Sequence, residues 1–350
     1  MRTLTAPDRP PATDRPAARG RWIWTLTGLA TVALLAWPVV GLITKAGNGG
    51  QGEVIYATPL MTRTVTVTQP VSSLSVESYG APIQVTSGPV HQVTVREAIS
   101  YPGPGQAPTV TAAVSDRRLT LDAPACATTG CSVGFTVTVP AGVAVTAESD
   151  NGGIAVTGVA GANLDSGGGP VQASHVDGPL TISSEDGGIT VSDVTAPGVN
   201  LDSGGGPIQV GRVDGPLTLN SEDGGVSVNG LTGDLDAGTG GGSFAGSVAA
   251  GRASVLTEGG SAALTFSTAP AYVFVDTGGG PAQLTFDQPP TAVMVSTENG
   301  SASVSVPGGP YSVTADTEGG SQTVNVPTAP TTRRSLTVST GGGPLEIVPR

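Results

Sequence analysis

The side chains most able to do chemistry in this sequence are carboxylates that recur beside clusters of glycine. Carboxylate oxygens and turn carbonyls are the ligands that Ca²⁺ prefers, so a stack of such turns could hold Ca²⁺. Asp and Ser also favour turns for their own hydrogen bonding, and the calcium-binding nonapeptide repeat has a shorter period. We therefore expect solvated turns and no cofactor, with Ca²⁺ as the alternative. The candidate calcium ligands are Asp165, Asp202 and Asp276 in one register and Glu185, Asp186, Glu222 and Asp223 in the other.

The two cysteines, Cys126 and Cys131, lie in the segment CATTGC. Outside the cytoplasm, an isolated pair at this spacing is typical of a small disulfide loop, and we predict that disulfide. A metal site would need further ligands, and His91 and His175 are distant in sequence. The spacing also differs from the C-x-x-C pattern of redox catalysis.

A carbohydrate-active enzyme is the catalytic alternative, because lyases and hydrolases of polysaccharides also use β-helices. Hydrolysis needs a converging pair of carboxylates, whereas these carboxylates are repeated, and the chain has no lysine after Lys45. His175 and Arg212 occupy one register 37 residues apart, so we expect both to be solvent-exposed. Tyr272 and Phe274 share a strand face, and we expect them to fill the core or a cap. We predict no catalytic residue.

The elements that must position these residues are short β-strands. Apolar and polar residues alternate between the glycine clusters, as in Leu180-Thr181-Ile182, which predicts strands with one buried face. Glycine supplies the positive φ that corners need and lets neighbouring backbones stack closely. A mean spacing of 19 residues is typical of a solenoid. The clusters end at Gly153, Gly169, Gly188, Gly206, Gly225, Gly242, Gly260, Gly280, Gly300, Gly320 and Gly343.

The repeats are more similar to one another at twice this period, since the sequence that begins at Leu164 recurs at Leu201. A β-propeller would need about 40 residues per blade and would lack this half-unit similarity. We therefore predict an all-β fold, a single-stranded parallel β-helix of about 19 residues per rung preceded by one transmembrane helix. The matching apolar pairs are Val171 with Ile208, Leu180 with Leu217, Ile182 with Leu219, Ile189 with Val226, and Val191 with Val228.

An uncharged segment, Trp22–Ile43, is long enough to cross a bilayer. Five arginines precede it and only Lys45 closely follows, which predicts a cytoplasmic N-terminus and an extracellular C-terminal domain. A cleaved signal peptide is the competing interpretation, but no A-x-A cleavage site follows. We predict a single-pass protein of the cell membrane, anchored by Trp22–Thr44. The chain after Lys45 has nine arginines and 25 carboxylates, a net charge of −16, which disfavours nucleic acid as a binding partner.

The predicted organisation has five parts. They are a cytoplasmic Arg/Pro-rich tail (1–21), a transmembrane signal-anchor helix (22–44), a linker (45–58), an N-terminal β region or cap (59–149) and the β-helix repeats (150–350). A cap is expected because an uncovered solenoid end is an unpaired edge prone to aggregation. Strands are predicted in it at Thr64–Thr68, Leu74–Val76, Ile83–Val85, Val93–Val95, Leu119–Leu121 and Phe135–Val139.

The phrase VGFTVTVPAGVAVTAESDNGGIAVTGVAG at 133–161, followed by glycine-turn rungs, resembles the bacterial "putative adhesin" β-helix family. That family is a domain of unknown function common in actinobacteria, and the likeness covers roughly residues 60–350. Members typically carry T-G-S-G-D turns, where this chain reads DSGGGP or SEDGG. The resemblance implies an extracytoplasmic β-helix, sometimes associated with envelope stress or signalling, and it transfers no catalytic residue.

These observations predict a membrane-anchored extracellular β-helix that acts as a non-enzymatic binding or adhesion surface. Its expected partner is a cell-wall polymer or another envelope or membrane protein. The alternative is a sensor or scaffold subunit in cell-envelope stress signalling, which would need a membrane partner because the tail is short. A carbohydrate-active enzyme is the third hypothesis.

Overall fold

The computed structural model describes residues 60–102, 107–123 and 130–350. The predicted tail, transmembrane helix and linker lie outside the described residues, and so does Cys126. In the described part every regular element is a β-strand, and no helix there is long and apolar enough to cross a membrane.

Thirty strands are found in the described part of the chain. In chain order they are β1 Leu60–Val67, β2 Ser73–Ser78, β3 Ile83–Gly88, β4 Val93–Ser100, β5 Thr111–Ser115, β6 Arg118–Asp122, β7 Ser132–Pro140, β8 Ala144–Ser149, β9 Ile154–Thr157, β10 Ala162–Ser166, β11 Val171–Asp177, β12 Leu180–Ser184, β13 Ile189–Thr195, β14 Val199–Ser203, β15 Ile208–Val210, β16 Val213–Asp214, β17 Leu217–Ser221, β18 Val226–Thr232, β19 Leu235–Thr239, β20 Phe244–Ala249, β21 Arg252–Thr257, β22 Ala262–Phe266, β23 Tyr272–Asp276, β24 Ala282–Phe286, β25 Ala292–Thr297, β26 Ala302–Val306, β27 Ser312–Thr317, β28 Gln322–Val324, β29 Ser335–Thr340 and β30 Leu345–Pro349.

The strands form two sheets, one of 16 strands (sheet 1) and one of 14 strands (sheet 2). From β8 onward the chain alternates between them, so each coil has a strand in sheet 2, a glycine corner and a strand in sheet 1. Neighbouring coils pair in parallel, as β10 does with β8 and β12. The repeat region is therefore a β-solenoid of about 11 turns with roughly 19 residues per turn. The predicted β-helix and its period are confirmed, and the propeller is excluded.

Alternation along each strand builds the core. The apolar residues that match at twice the period, such as Leu180 with Leu217 and Ile182 with Leu219, are all buried. Their polar neighbours point outward, which is the expected pattern for strands with one buried face. Farther along, the rings of Phe266 and Phe286 stack inside the solenoid with centroids 4.8 Å apart. The core is thus a continuous ladder between the two sheets.

Close packing of backbones explains the glycine corners. A Cβ built on Gly187 or Gly206 would overlap the backbone of the preceding coil, at Gly169 and Gly187 respectively. A positive φ is needed at the opposite corner instead, where Gly178 and Gly215 have φ of 151° and 136°. Both predicted roles of glycine are therefore present, and Gly178 and Gly215 combine them, because a Cβ there would also overlap the backbone of the preceding coil.

A ladder of buried hydroxyls closes the glycine corners. The last residue of a sheet 2 strand donates a hydrogen bond to the carbonyl oxygen three residues on, as Ser203 Oγ does to Gly206 at 2.8 Å. Thr257 Oγ1 donates to the Gly260 carbonyl in the same way at 2.7 Å. Ser184 holds the equivalent position, but its buried hydroxyl has no hydrogen-bond partner. These bonds satisfy carbonyls that the corner would otherwise leave unpaired inside the solenoid.

The N-terminal region contributes both coils and a cap. Strands β2 and β3 form a coil that lies between the β6–β7 coil and the β8–β9 coil. Parallel coils therefore begin well before residue 150. Antiparallel strands cover this end, since β1 pairs with β4, β4 pairs with β7, and β5 pairs with β6. These antiparallel strands cover the first parallel coil, and β1 and β5 become the edge strands of the two sheets at this end.

At the other end the final coil is inserted out of order. Strand β29 lies between β25 and β27, and β30 lies between β26 and β28. The outermost coil, β27–β28, therefore comes earlier in the sequence than the β29–β30 coil that lies beneath it. This arrangement clamps the last coil from both sides.

Two types of glycine corner alternate in space. Acidic corners contain Asp150, Glu185, Glu222, Glu258, Glu298 and Glu318, and all-glycine corners contain Gly167, Gly204, Gly240, Gly278 and Gly341. A Cβ on each of these glycines would overlap the carbonyl oxygen of the acidic corner stacked before it. An all-glycine corner therefore nests on an acidic one, which explains the stronger repeat at 37 residues.

Candidate binding surface

The outer face of sheet 2 is polar over most of its length. One position per coil forms a column through this face, and most of its members are Thr, Asn, Ser or Asp. Two neighbouring members of the column, Phe274 and Met294, are apolar, and the members beyond them are polar again. In spatial order it reads Thr146, Asn163, Thr181, Asn200, Thr218, Asp236, Ser254, Phe274, Met294, Thr337 and Thr314.

Four apolar side chains on strands β21, β23 and β25 form what we call the apolar patch: Leu256, Tyr272, Phe274 and Met294. Leu256 is 46% exposed, and Tyr272 and Met294 are each 42% exposed, while Phe274 is half-buried among them. Only one other large hydrophobic residue of the described part, Tyr79, is comparably exposed. Contiguous exposed apolar area of this kind is typical of an interaction surface.

The position of Tyr272 and Phe274 overturns the expectation that they fill the core or a cap. Val273 and Val275 on the same strand are completely buried, so the two aromatic side chains must point outward. Phe274 pairs in register with Ser254, which also lies on the outer face. The core is already filled by the valines, so the aromatic residues are free to contact a partner.

Polar groups surround the apolar patch. Arg252 lies opposite Tyr272 in the neighbouring coil, and Asp276 lies opposite Leu256. Asp276 Oδ1 accepts a hydrogen bond from the Gly278 backbone N–H at 3.2 Å, so its carboxylate is tied to the corner. The patch thus has an aromatic centre with a guanidinium, a carboxylate and the Ser254 hydroxyl at its edge.

The first set of candidate calcium ligands, Asp165, Asp202 and Asp276, does lie in one column of sheet 2. Asp165 pairs with Ser183, and Ser183 pairs with Asp202, so two coils separate the carboxylates. Two coils correspond to about 10 Å, whereas oxygen ligands lie about 2.5 Å from Ca²⁺. Asp276 is farther along the solenoid, beside Leu256.

The second set lies at acidic corners. Glu185 and Asp186 share one corner, and Glu222 and Asp223 share another, with the all-glycine corner at Gly204 stacked between them. Alternation therefore keeps these pairs two coils apart as well. Within the described ranges no group of three or more His, Cys, Asp or Glu side chains is close enough to hold a metal ion.

His175 and Arg212 are exposed, as their shared register predicts, and Asp193 lies between them. The Arg212 Nε–H donates to Asp193 Oδ1 at 2.6 Å, and His175 Nε2 lies 4.0 Å from Asp193 Oδ2. The side chains of His175 and Arg212 are 67% and 80% exposed. An ion pair this open to water contributes little to stability and offers no enclosed site for catalysis.

One titratable pair is buried at the N-terminal end. Glu97 on β4 is completely buried and lies opposite Arg63 on β1, with 3.8 Å between Glu97 Oε2 and Arg63 Nε. Neither Glu97 oxygen has a hydrogen-bond partner. Burial raises the pKa of the Glu97 carboxyl above its usual range, and the Arg63 guanidinium partly opposes this. Because Glu97 faces the core, it cannot reach a polymeric substrate.

Two other features offer little chemistry. A shallow groove of about 200 Å³ is lined by residues such as Pro82, Gln84 and Thr136, and none of its lining residues is titratable. Cys131 precedes β7 and is not a free thiol, but Cys126 lies outside the described residues. The disulfide between them therefore stays a prediction.

No protein-family model matches this chain, and no curated protein matches its sequence. It is similar in structure to a putative adhesin from Parabacteroides distasonis, with 14% identity and a TM-score of 0.40 over 83% of this chain and 98% of that chain. A putative adhesin from Parabacteroides merdae has 12% identity and a TM-score of 0.32 over 82% and 95%. A putative cell adhesion protein from Clostridium sporogenes has 9% identity and a TM-score of 0.21 over 84% and 100%. At these TM-scores the similarities carry no argument about function.

Proposed function

We propose that this protein is a non-enzymatic binding or adhesion module of the cell envelope, which contacts its partner through the outer face of sheet 2. The observation that carries the proposal is the apolar patch on an otherwise polar face. Leu256, Tyr272 and Met294 are each more than two-fifths exposed, although the core beneath them is complete. Exposing them gains nothing for folding, because apolar surface left in water forgoes the stabilisation of burial. A partner that covers the patch accounts for it.

The proposed partner is a cell-wall polymer or another envelope protein. In this proposal Trp22–Thr44 anchors the chain in the membrane and the solenoid stands outside the cell. The excess of carboxylates after Lys45 repels nucleic acid, so that class of partner is disfavoured. The repeated carboxylates and the core-facing Glu97 support no acid–base pair for hydrolysis, which favours binding over catalysis.

The test is a pull-down with the full-length protein in detergent against purified cell wall and solubilised membrane proteins. A variant with Ser254→Arg and Ser296→Arg places two bulky charges on the outer face of sheet 2, beside the patch. Its matched control, Thr265→Arg with Thr285→Arg, places the same charges on the outer face of sheet 1 in neighbouring coils.

We expect the sheet 2 variant to lose at least about tenfold in retention, since each 1.4 kcal/mol of lost contact is a tenfold change, and the control to bind normally. Equal binding by both variants would contradict the assignment of the face. Capture of a membrane regulator that ignores both changes would favour the sensor or scaffold hypothesis instead.

A further inference from the structure

The side chains of the apolar patch form a continuous strip. Tyr272 and Phe274 are two residues apart on β23, so they lie on one face about 7 Å apart. Phe274 is directly opposite Met294 in the next coil, at the inter-strand spacing of about 5 Å. Leu256 lies in the preceding coil opposite Asp276, which places it diagonally from Phe274 and within reach of its ring. The result is an aromatic strip on the surface of the sheet, with no enclosing pocket.

The area of the strip by itself is less than half of the area that one partner contributes to a typical protein interface. A large aromatic side chain has roughly 200 Å² to bury, so four side chains at these exposures offer about 300 Å². A stable protein–protein contact needs about 800 Å² from each partner. The strip alone therefore does not make up a protein interface, and its size matches a ligand that lays a few rings on the surface.

The polar groups at the edge of the strip suit hydroxyl-rich rings. The Asp276 carboxylate accepts hydrogen bonds, the Arg252 guanidinium donates them, and the Ser254 hydroxyl does both. A sugar ring has an apolar face of C–H groups and a rim of hydroxyls, so it can stack on Tyr272 or Phe274 while its rim meets these groups. A linear glycan can use successive rings in this way along a surface that lacks a pocket.

The negative charge of the chain after Lys45 favours an uncharged glycan over an acidic one. The chain after Lys45 carries nine arginines against 25 carboxylates. Acidic corners at Glu258 and Glu298 lie at the ends of β21 and β25, the two strands that flank Phe274. A polyanion would be repelled from this surface, whereas an uncharged polymer would not.

We infer that the apolar patch is a stacking platform for an uncharged polysaccharide. This inference rests on the proposed binding function and names the ligand class for the same face. Tyr272 and Phe274 stack against sugar rings, Leu256 and Met294 extend the apolar contact, and Asp276 and Arg252 bind hydroxyls at the edge.

The test measures retention of the full-length protein in detergent by affinity electrophoresis in gels that contain amylose, xylan or polygalacturonate. The patch variant is Tyr272→Ser with Phe274→Ser, because Ser254 already occupies the Phe274 position one coil earlier. The matched control is Thr265→Ser with Thr285→Ser, two outward residues of sheet 1 in neighbouring coils. A Phe274→Trp variant adds a fluorescence reporter on the platform.

The expected result is that amylose or xylan retards the wild type and the control, and that the patch variant loses at least tenfold in retention. Glycan should also change the fluorescence of Phe274→Trp relative to wild type. Retardation by polygalacturonate alone, or equal retardation of the patch variant, would overturn the inference.

Two further outcomes separate this inference from the proposed function. If purified cell wall still retains the patch variant but not the Ser254→Arg, Ser296→Arg variant, the binding function stands and the glycan platform fails. If sedimentation shows self-association that the patch variant abolishes, the occupant is a second copy and the glycan platform is again overturned. If the wild type binds neither purified cell wall nor solubilised membrane proteins, the proposed function itself is contradicted.

Discussion

The backbone of Gly341 lies against the carbonyl oxygen of Glu298, although the corner at Glu318 lies between them in sequence. The Gly341 N–H donates to the Thr297 carbonyl at 2.9 Å, and the Glu318 N–H donates to the Thr340 carbonyl at 3.2 Å. The corner of the final coil is thus held between two acidic corners. Insertion of that coil preserves the alternation of acidic and all-glycine corners to the end of the solenoid.

This contact predicts that Gly341→Ala destabilises the C-terminal end. A Cβ at Gly341 would overlap the Glu298 carbonyl oxygen, so the two coils must move apart. Overpacking of this kind costs about 1–3 kcal/mol. Hydrogen exchange of the β27–β30 amides in the full-length protein measures the effect, and exchange there should accelerate.

Gly342→Ala is the matched control, because a Cβ at the next residue would meet nothing within 4 Å. Its exchange should match that of the wild type. Equal protection in the Gly341 and Gly342 variants would mean that the final coil does not nest on the Glu298 corner.

The hydroxyl ladder makes a second prediction with the same substitution at two positions. Ser203→Ala removes a buried hydrogen bond to the Gly206 carbonyl and leaves that carbonyl without this donor. It should lower the free energy of unfolding by about 1–2 kcal/mol. Ser184→Ala removes a hydroxyl that is buried without a partner, so it should be neutral or stabilising. Urea denaturation compares the two, and an equal loss in both would show that the hydrogen bond is not the cause.

The coil period and the buried faces are predictable from the sequence, because each coil repeats the same local requirements. Alternation identifies Leu180 and Ile182 as core, and close stacking requires glycine at the corner after each sheet 2 strand. The insertion of the β29–β30 coil could not be predicted in this way, because strand periodicity does not encode the order in which coils stack. A signal exists nonetheless: the corners at Glu298 and Glu318 are consecutive acidic corners, which breaks the alternation unless another coil lies between them.

The apolar patch could be predicted only in part. In β23, Tyr272 and Phe274 alternate with Val273 and Val275, so both faces are apolar and the pattern does not say which is buried. Alignment of coils resolves the ambiguity, because Phe274 falls at the position that Ser254 and Thr218 occupy elsewhere. The buried pair of Arg63 and Glu97 was missed because their pairing depends on the antiparallel cap.

The spacing of the carboxylates predicts that Ca²⁺ does not stabilise the solenoid. Asp165 and Asp202 are two coils apart, which is too far for one ion to bridge. The unfolding temperature of the full-length protein should be the same with millimolar Ca²⁺ as with EDTA. A rise with Ca²⁺ that Asp202→Asn abolishes would show that the carboxylates converge in solution.

The buried Glu97 predicts that the N-terminal cap becomes more stable as the pH falls from neutrality. Burial raises the folded-state pKa of Glu97 above its usual value, so the folded chain keeps a proton that the unfolded chain has already lost. This contribution is fully present below the unfolded pKa and is lost as the pH rises through the folded pKa. A difference of one pKa unit between the folded and unfolded states corresponds to about 1.4 kcal/mol of stability.

Glu97→Gln should therefore be at least as stable as wild type at pH 7 and should lose this pH dependence. Glu148→Gln, a control on the outer face, should keep the pH dependence of the wild type. Thermal unfolding between pH 4.5 and 7 makes the comparison, and a wild-type cap that weakens steadily on acidification would contradict the assignment.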